Sequence, residues 1–192
     1  MPETETIVMR GRSVLPLLAV AALVVALAPP RAQTEARTHP VVERLAGTYD
    51  NVRADGGEAI IAAAIEAGTS SMRRVRRKVA RRRLRAVNPS VSSVTLGPNR
   101  AGALVLYEGS RENRTPRLGV FAANRSADGG KVDVMHEVVG RTIHERYRQK
   151  DGTAVNVFRL SEDGRELSLE VTIESSQLPG PIRYRLEFRR AR

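Results

Sequence analysis

ELSLEVTIESSQLPGPIRYRLEF, residues 166–188, is the stretch that decides the fold. Leu167, Leu169, Val171 and Ile173 alternate with polar neighbours, and after Pro179-Gly180-Pro181 the same alternation returns in Ile182, Tyr184, Leu186 and Phe188. Successive side chains of a strand point to opposite faces, so a period of two gives one buried face and one wet face. The stretch predicts an antiparallel hairpin. Upstream as far as Val91 the pattern repeats, punctuated by turn signals at Gly97-Pro98-Asn99, Gly109-Ser110, Asp128-Gly129-Gly130, Val139-Gly140, Asp151-Gly152 and Asp163-Gly164. That is the pattern of an antiparallel meander. Closed on itself, it predicts a mainly β, α+β domain: an up-and-down barrel of about eight or nine strands.

Short loops allow the inward face to be traced from hairpin to hairpin. Two-residue loops at Val139-Gly140 and Asp151-Gly152, and a two- or four-residue loop ending at Gly164, all pair odd-numbered residues with even-numbered ones. Working back from Leu167, the inward set is Asn156, Phe158 and Leu160, then Ile143, Glu145 and Tyr147, then Val132, Val134, His136 and Val138. Three of these are out of place on an apolar wall: His136, Glu145 and Asn156. In this register His136 opposes Ile143 and Glu145 opposes Val134, which makes His136 and Glu145 diagonal neighbours; Tyr147 opposes Asn156. Such a cluster has three readings. It is a satisfied structural pair, or a polar anchor for a ligand, or the acid–base pair of a hydrolase or isomerase. The last also requires a positioned substrate and usually a nucleophile or metal, which the spacing does not supply. No metal site is expected, because His144 faces outward and His39 lies far upstream. The dipeptides His136-Glu137 and His144-Glu145 lack the helical spacing of a zinc-protease motif.

Before the meander, Thr48, Tyr49 and Val52 have strand-like types, and Val41 to Ala46 can make a helical turn ahead of them. Between that first strand and Val91 lies a helical insertion, 56–87. Asp55 followed by Glu58 is a capping-box-like start, and Pro89 stops the helix. Ile61, Ile65, Gly68, Met72, Val75 and Val79 fall three or four residues apart and predict one apolar seam facing the barrel. Gly68-Thr69-Ser70-Ser71 predicts a kink or a division into two helices. The opposite face is basic: Arg73, Arg74, Arg76, Arg77, Lys78, Arg81, Arg82, Arg83 and Arg85, with no carboxylate between Glu66 and Glu108. Nearly all of the net charge of +11 sits here. Such a face suits an anionic membrane or an envelope polyanion. No aromatic residue is interleaved, which gives nucleic-acid stacking no support.

Residues 13–28, SVLPLLAVAALVVALA, follow Arg10 and Arg12 and precede Pro29-Pro30-Arg31-Ala32, the layout of a secretory signal peptide over 1–32. Cleavage after Ala28 or after Ala32 fits, Met9 makes a more compact start than Met1, and an uncleaved anchor is the alternative. Export to the periplasm or beyond is therefore expected, and it argues against a nucleic-acid partner. Residues 33–40 read as a flexible lead-in, and 41–192 as a single domain. The chain has no cysteine, which excludes disulfides, thiolate metal sites, a Cys nucleophile and a Cys-linked lipid. No cofactor motif occurs.

A first strand, a helical segment and then a long meander resemble the calycin-type barrels, with the helix placed as in the fatty-acid-binding proteins. Gly47-Thr48-Tyr49 is similar to the Gly-x-Trp of lipocalins, with Tyr in place of Trp. Arg183-Tyr184-Arg185 offers the residue types used there for a carboxylate, although here Tyr184 is expected inward and both arginines outward. The resemblance, to exported bacterial lipocalin-like proteins, implies a helix-lidded barrel holding an apolar or amphiphilic ligand. With His136, Glu145, Tyr147, Asn156 and Tyr184 lining the interior, the expected function is non-enzymatic ligand binding. The alternatives are an enzyme using His136 and Glu145, or an interaction domain with a filled core.

Overall fold

A computed structural model of the chain describes residues 39–99, 102–108, 116–126 and 129–192. The expected signal segment 1–32 and nearly all of the lead-in lie outside the described residues. The elements run α1 (Pro40–Leu45), β1 (Gly47–Asn51), α2 (Glu58–Thr69), α3 (Arg74–Val87), β2 (Ser93–Gly97), β3 (Leu104–Tyr107), β4 (Ala122–Arg125), β5 (Lys131–Val139), β6 (Thr142–Gln149), β7 (Gly152–Leu160), β8 (Glu166–Ser175) and β9 (Ile182–Arg190). All nine strands form one antiparallel sheet in the order β3-β2-β1-β9-β8-β7-β6-β5-β4. Except at β1–β9, sheet neighbours are also neighbours in the chain, so the meander curls into a half-barrel with its helices near the first strand.

The register stacks the inner wall into transverse rows. Val138, Ile143, Phe158, Leu169 and Leu186 make one; His136, Glu145, Asn156, Val171 and Tyr184 the next; Val134, Tyr147, Ala154, Ile173 and Ile182 the third. The odd–even pairing and the inward face agree with the traced alternation, but two turns are displaced. The β5–β6 turn is Gly140-Arg141 and the β6–β7 turn is Lys150-Asp151, so both registers shift by two residues. Gly140 takes the left-handed backbone, φ 59°, that a tight hairpin demands at its first turn position. Gly152 is needed in the strand instead: a Cβ there would stand 2.4 Å from the Glu174 carbonyl oxygen. A two-residue shift preserves the face and changes the partners. His136 therefore opposes Glu145 directly, Asn156 opposes Glu145, and Tyr147 opposes Ala154.

The insertion is two helices. Asp55 accepts from Gly57 N and Ala59 N at 2.9 and 3.3 Å, and these amides hold its carboxyl below the usual range. The N-cap itself is the left-handed Gly57. The helix α2 lies against β9, because Gly57 and Gly68 leave room: a Cβ at either would come within 2.4 Å of Leu186 Cδ2 or 2.5 Å of Ile182 Cγ1. Ile61 and Ile65 are buried there, as the seam predicts. The seam does not continue. Arg73 is extended at φ −58°, ψ 141°, the break resets the helical phase, and Val75 and Val79 in α3 stand 78% and 42% exposed.

At the other end of the wall, Arg190 bonds Ala46 O and Tyr49 Oη at 2.9 and 2.7 Å, while Tyr49 donates to Leu45 O at 2.9 Å. This ties α1 and β1 to the C-terminal strand. The core gathers at that end around Val42, Leu45, Tyr49, Phe158, Leu167 and Phe188, none of them exposed.

Replacing Gly68 by Ala in a helix interior ordinarily gains up to about 1 kcal/mol. Here the clash with buried Ile182 outweighs it, so Gly68→Ala is expected to lower stability by about 1–3 kcal/mol in thermal or urea unfolding. Gly180→Ala, with open space around it, is expected to change stability by no more than about 0.5 kcal/mol.

Candidate functional site

The polar row is built by three adjacent strands, β5, β6 and β7, each contributing one side chain: His136, Glu145 and Asn156. A buried carboxylate is costly unless donors surround it, and Glu145 is 4% exposed. Its Oε1 lies 3.2 Å from His136 Nε2. Its Oε2 accepts from Tyr107 Oη at 2.5 Å and from Asn156 Nδ2 at 3.1 Å, and Asn156 Nδ2 also reaches Tyr107 Oη at 2.8 Å. Burial first, then the Glu145 charge, pushes the Tyr107 and Tyr147 hydroxyls well above the ordinary tyrosine range. Both stay protonated, and Tyr107 serves as a donor to Glu145.

His136, 2% exposed, has an oxygen at each nitrogen: Glu145 Oε1 at Nε2 and Ala103 O, 3.1 Å away, at Nδ1. A neutral imidazole donates through one nitrogen. Which of the two contacts carries that proton is set by the tautomer. Ala103 and Tyr107 flank the short edge strand β3, so the network also clasps one edge of the sheet to β5 and β6. The isolated bridge Gly102↔Arg117 lies beside it.

Tyr107 was not legible as a member of this cluster. It ends the continuous run Leu104-Val105-Leu106-Tyr107, which has no period of two to say which way it faces. The other expected ligand-lining residues do share the interior, with different partners. Tyr147, Asn156 and Tyr184 are partly covered, and Tyr184 donates to Asn88 Oδ1 at 3.2 Å, joining the barrel to the C-cap of α3. Arg183 and Arg185 are exposed on the outer face. The three histidines do not converge: His39 caps α1, and His144 faces the outer wall near Glu137. Two surface hollows of about 380 and 410 Å³ lie by Gly152–Pro181 and by Asp50–Arg192, and neither borders the polar row.

The basic segment divides by role. Arg77 donates to Ser70 O at 2.9 Å, Arg81 to Thr69 Oγ1 at 3.0 Å and Glu66 O at 3.3 Å, and Arg85 to Glu66 Oε1 at 3.3 Å. Arg77 and Arg81, one turn apart, satisfy carbonyls at the end of α2, where cations are favoured, and Arg85, a turn further on, pairs with the Glu66 side chain. They hold α3 to α2. Arg73, Arg74, Arg76, Lys78, Arg82 and Arg83 are exposed and have no carboxylate partner among the described residues.

No protein-family model and no curated protein sequence matches the chain. Among solved structures it is similar to a fatty-acid-binding protein from the brain of Drosophila melanogaster, with a TM-score of 0.44 and 14% identity over 75% of this chain and 96% of that one. It is similar also to a Schistosoma mansoni fatty-acid-binding protein in complex with arachidonic acid, at 0.47 and 13% over 79% and 99%. A Manduca sexta fatty-acid-binding protein stands at 0.41 and 16% over 78% and 100%. At these identities no residue role passes from those proteins to this chain.

Glu145→Ala would leave buried His136 without its partner at Nε2 and Tyr107 without its acceptor, an expected loss of about 3–5 kcal/mol in chemical denaturation. Tyr107→Phe removes one donor and should cost about 1–3 kcal/mol. His144 supplies a pH signature: burial first, then Arg146, lowers its pKa below 6.5. The unfolded chain then binds more protons, so stability is full above about 6.5 and falls as pH drops through the folded value. His144→Gln is expected to flatten that part of the stability–pH curve.

Proposed function

We propose that the chain is an exported, non-enzymatic barrel that receives an apolar or amphiphilic envelope molecule on its inner wall and offers a basic helix to an anionic surface. The observation that carries the ligand reading is uneven covering of the wall. Ile143, Phe158, Leu169 and Leu186 are at most 1% exposed, whereas Tyr147, Ala154, Asn156 and Tyr184, in the adjoining rows, are only partly covered by protein. Apolar wall beside a few oriented polar groups is what an amphiphile needs: area for its chain, donors for its head. His136 and Glu145 support the non-enzymatic side. Their polar atoms already have partners and almost no exposed surface, which leaves nothing to touch a substrate.

A second reading, a filled interaction domain, draws on the surface hollows, which border neither Tyr147 nor Tyr184. Export rests on residues 10–32 and is checked by N-terminal sequencing of protein recovered from the cell envelope.

Native mass spectrometry of gently purified protein is expected to show a bound lipid-range mass that organic extraction removes. A fluorescent fatty-acyl probe should then bind the extracted protein, and Ala154→Trp, which fills the partly covered row, should weaken it about tenfold or more. Protein that is mass-pure as isolated and takes no probe would establish the filled-core reading.

A further inference from the structure

We propose that α3 lies along an anionic lipid bilayer, with Val75 and Val79 set among the headgroups and the flanking cations on the phosphates. The inference rests on the anion-facing reading of this helix and names its partner. A helix turns once in about 3.6 residues, so Val75, Val79 and Ala86 fall along one line of α3. All three are exposed. Lys78 and Arg82 stand on one side of that line, Arg76 and Arg83 on the other. The outward side of α3 is thus an apolar ridge between two basic rows.

This arrangement follows from the way α3 docks. Arg77 and Arg81 turn inward to carbonyls at the end of α2 while Arg85 holds the Glu66 side chain, and the valines are thereby rotated into water. A helix held by its arginines has its apolar side outermost. No acidic residue occurs in α3, and among the described residues its ion pairs are those of Arg81 and Arg85 with Glu66. A soluble polyanion could neutralise the charges and leave the valines hydrated. A bilayer interface takes both: its phosphates meet the guanidinium groups while the ridge leaves water. The geometry favours the bilayer.

The chain has no tryptophan, so Val79→Trp provides a single reporter. In the full chain, adding vesicles that contain phosphatidylglycerol is expected to shift its emission to the blue, with quenching by brominated acyl chains; phosphatidylcholine vesicles leave it unchanged. Residues 13–28 are present in every variant, so the local emission and the differences between variants carry the result. The exposed pair Val75→Ser with Val79→Ser should lower affinity for the anionic vesicles about tenfold and leave binding to inorganic polyphosphate unchanged. Arg76→Gln, Arg82→Gln and Arg83→Gln together should abolish the emission response in the reporter background. Circular dichroism identifies any variant that fails to fold.

Vesicle affinity equal in wild type and the serine pair, with unshifted Trp emission, overturns insertion and leaves an anion-binding face standing. Loss of all charge-dependent vesicle binding at low salt overturns both readings. Tighter binding to polyphosphate or nucleic acid than to vesicles at equal phosphate concentration assigns a soluble polyanion and overturns the bilayer.

Discussion

A carboxylate placed on an apolar wall must be surrounded by donors, and the demands of Glu145 organise this half-barrel. Desolvating an ion costs several kcal/mol, and the geometry here answers with His136 on one oxygen and Tyr107 and Asn156 on the other. Those partners come from β5, β7 and β3, so one buried charge gathers side chains from distant parts of the sheet. His136 extends the network to Ala103, and the edge strand β3 is held across the interior by side chains. The same hydrogen bonds that hold the edge occupy the polar atoms of the pair. Tyr147, Asn156 and Tyr184, at the margin of this network, are only partly covered.

The helices show a second competition, between an apolar seam and a set of carbonyls. Continuous helical phase would have placed Val75 and Val79 over the barrel. The chain breaks at 70–73, and α2 is left with an exposed carbonyl end that two arginines can reach. Ion-assisted hydrogen bonds from Arg77 and Arg81 to that end, with Arg85 on the Glu66 side chain, hold the inward side of α3, where Leu84 packs on the core. Two glycines make the rest possible: without side chains at Gly57 and Gly68, α2 rests directly on Leu186 and Ile182 and covers that part of the wall.

Much of the fold was legible along the chain, because the alternation of Leu167 to Phe188 depends only on neighbouring residues. The same holds for the odd–even pairing, which survives any even shift of a turn. His136, Glu145 and Asn156 could be seen as intruders on the inner face for that reason. Their partners could not be seen. Whether His136 faced Ile143 or Glu145 depended on Gly140 taking the first, left-handed position of the β5–β6 turn; whether Asn156 faced Glu145 or Tyr147 depended on where Gly152 was needed, beside the backbone of Glu174, more than twenty residues further on.

What the sequence by itself determined was therefore a matter of parity and punctuation: which residues point inward, that Asp55 gathers the first amides of α2, that Pro89 follows the end of α3, and where the charge lies. Tertiary structure decided register and rotation, bringing His136 opposite Glu145, recruiting Tyr107 and turning the valines of α3 to the solvent. Facing is a local property of a pleated or helical chain. Partnership is a close-packing property, decided by atoms that meet only once the distant segments are in place.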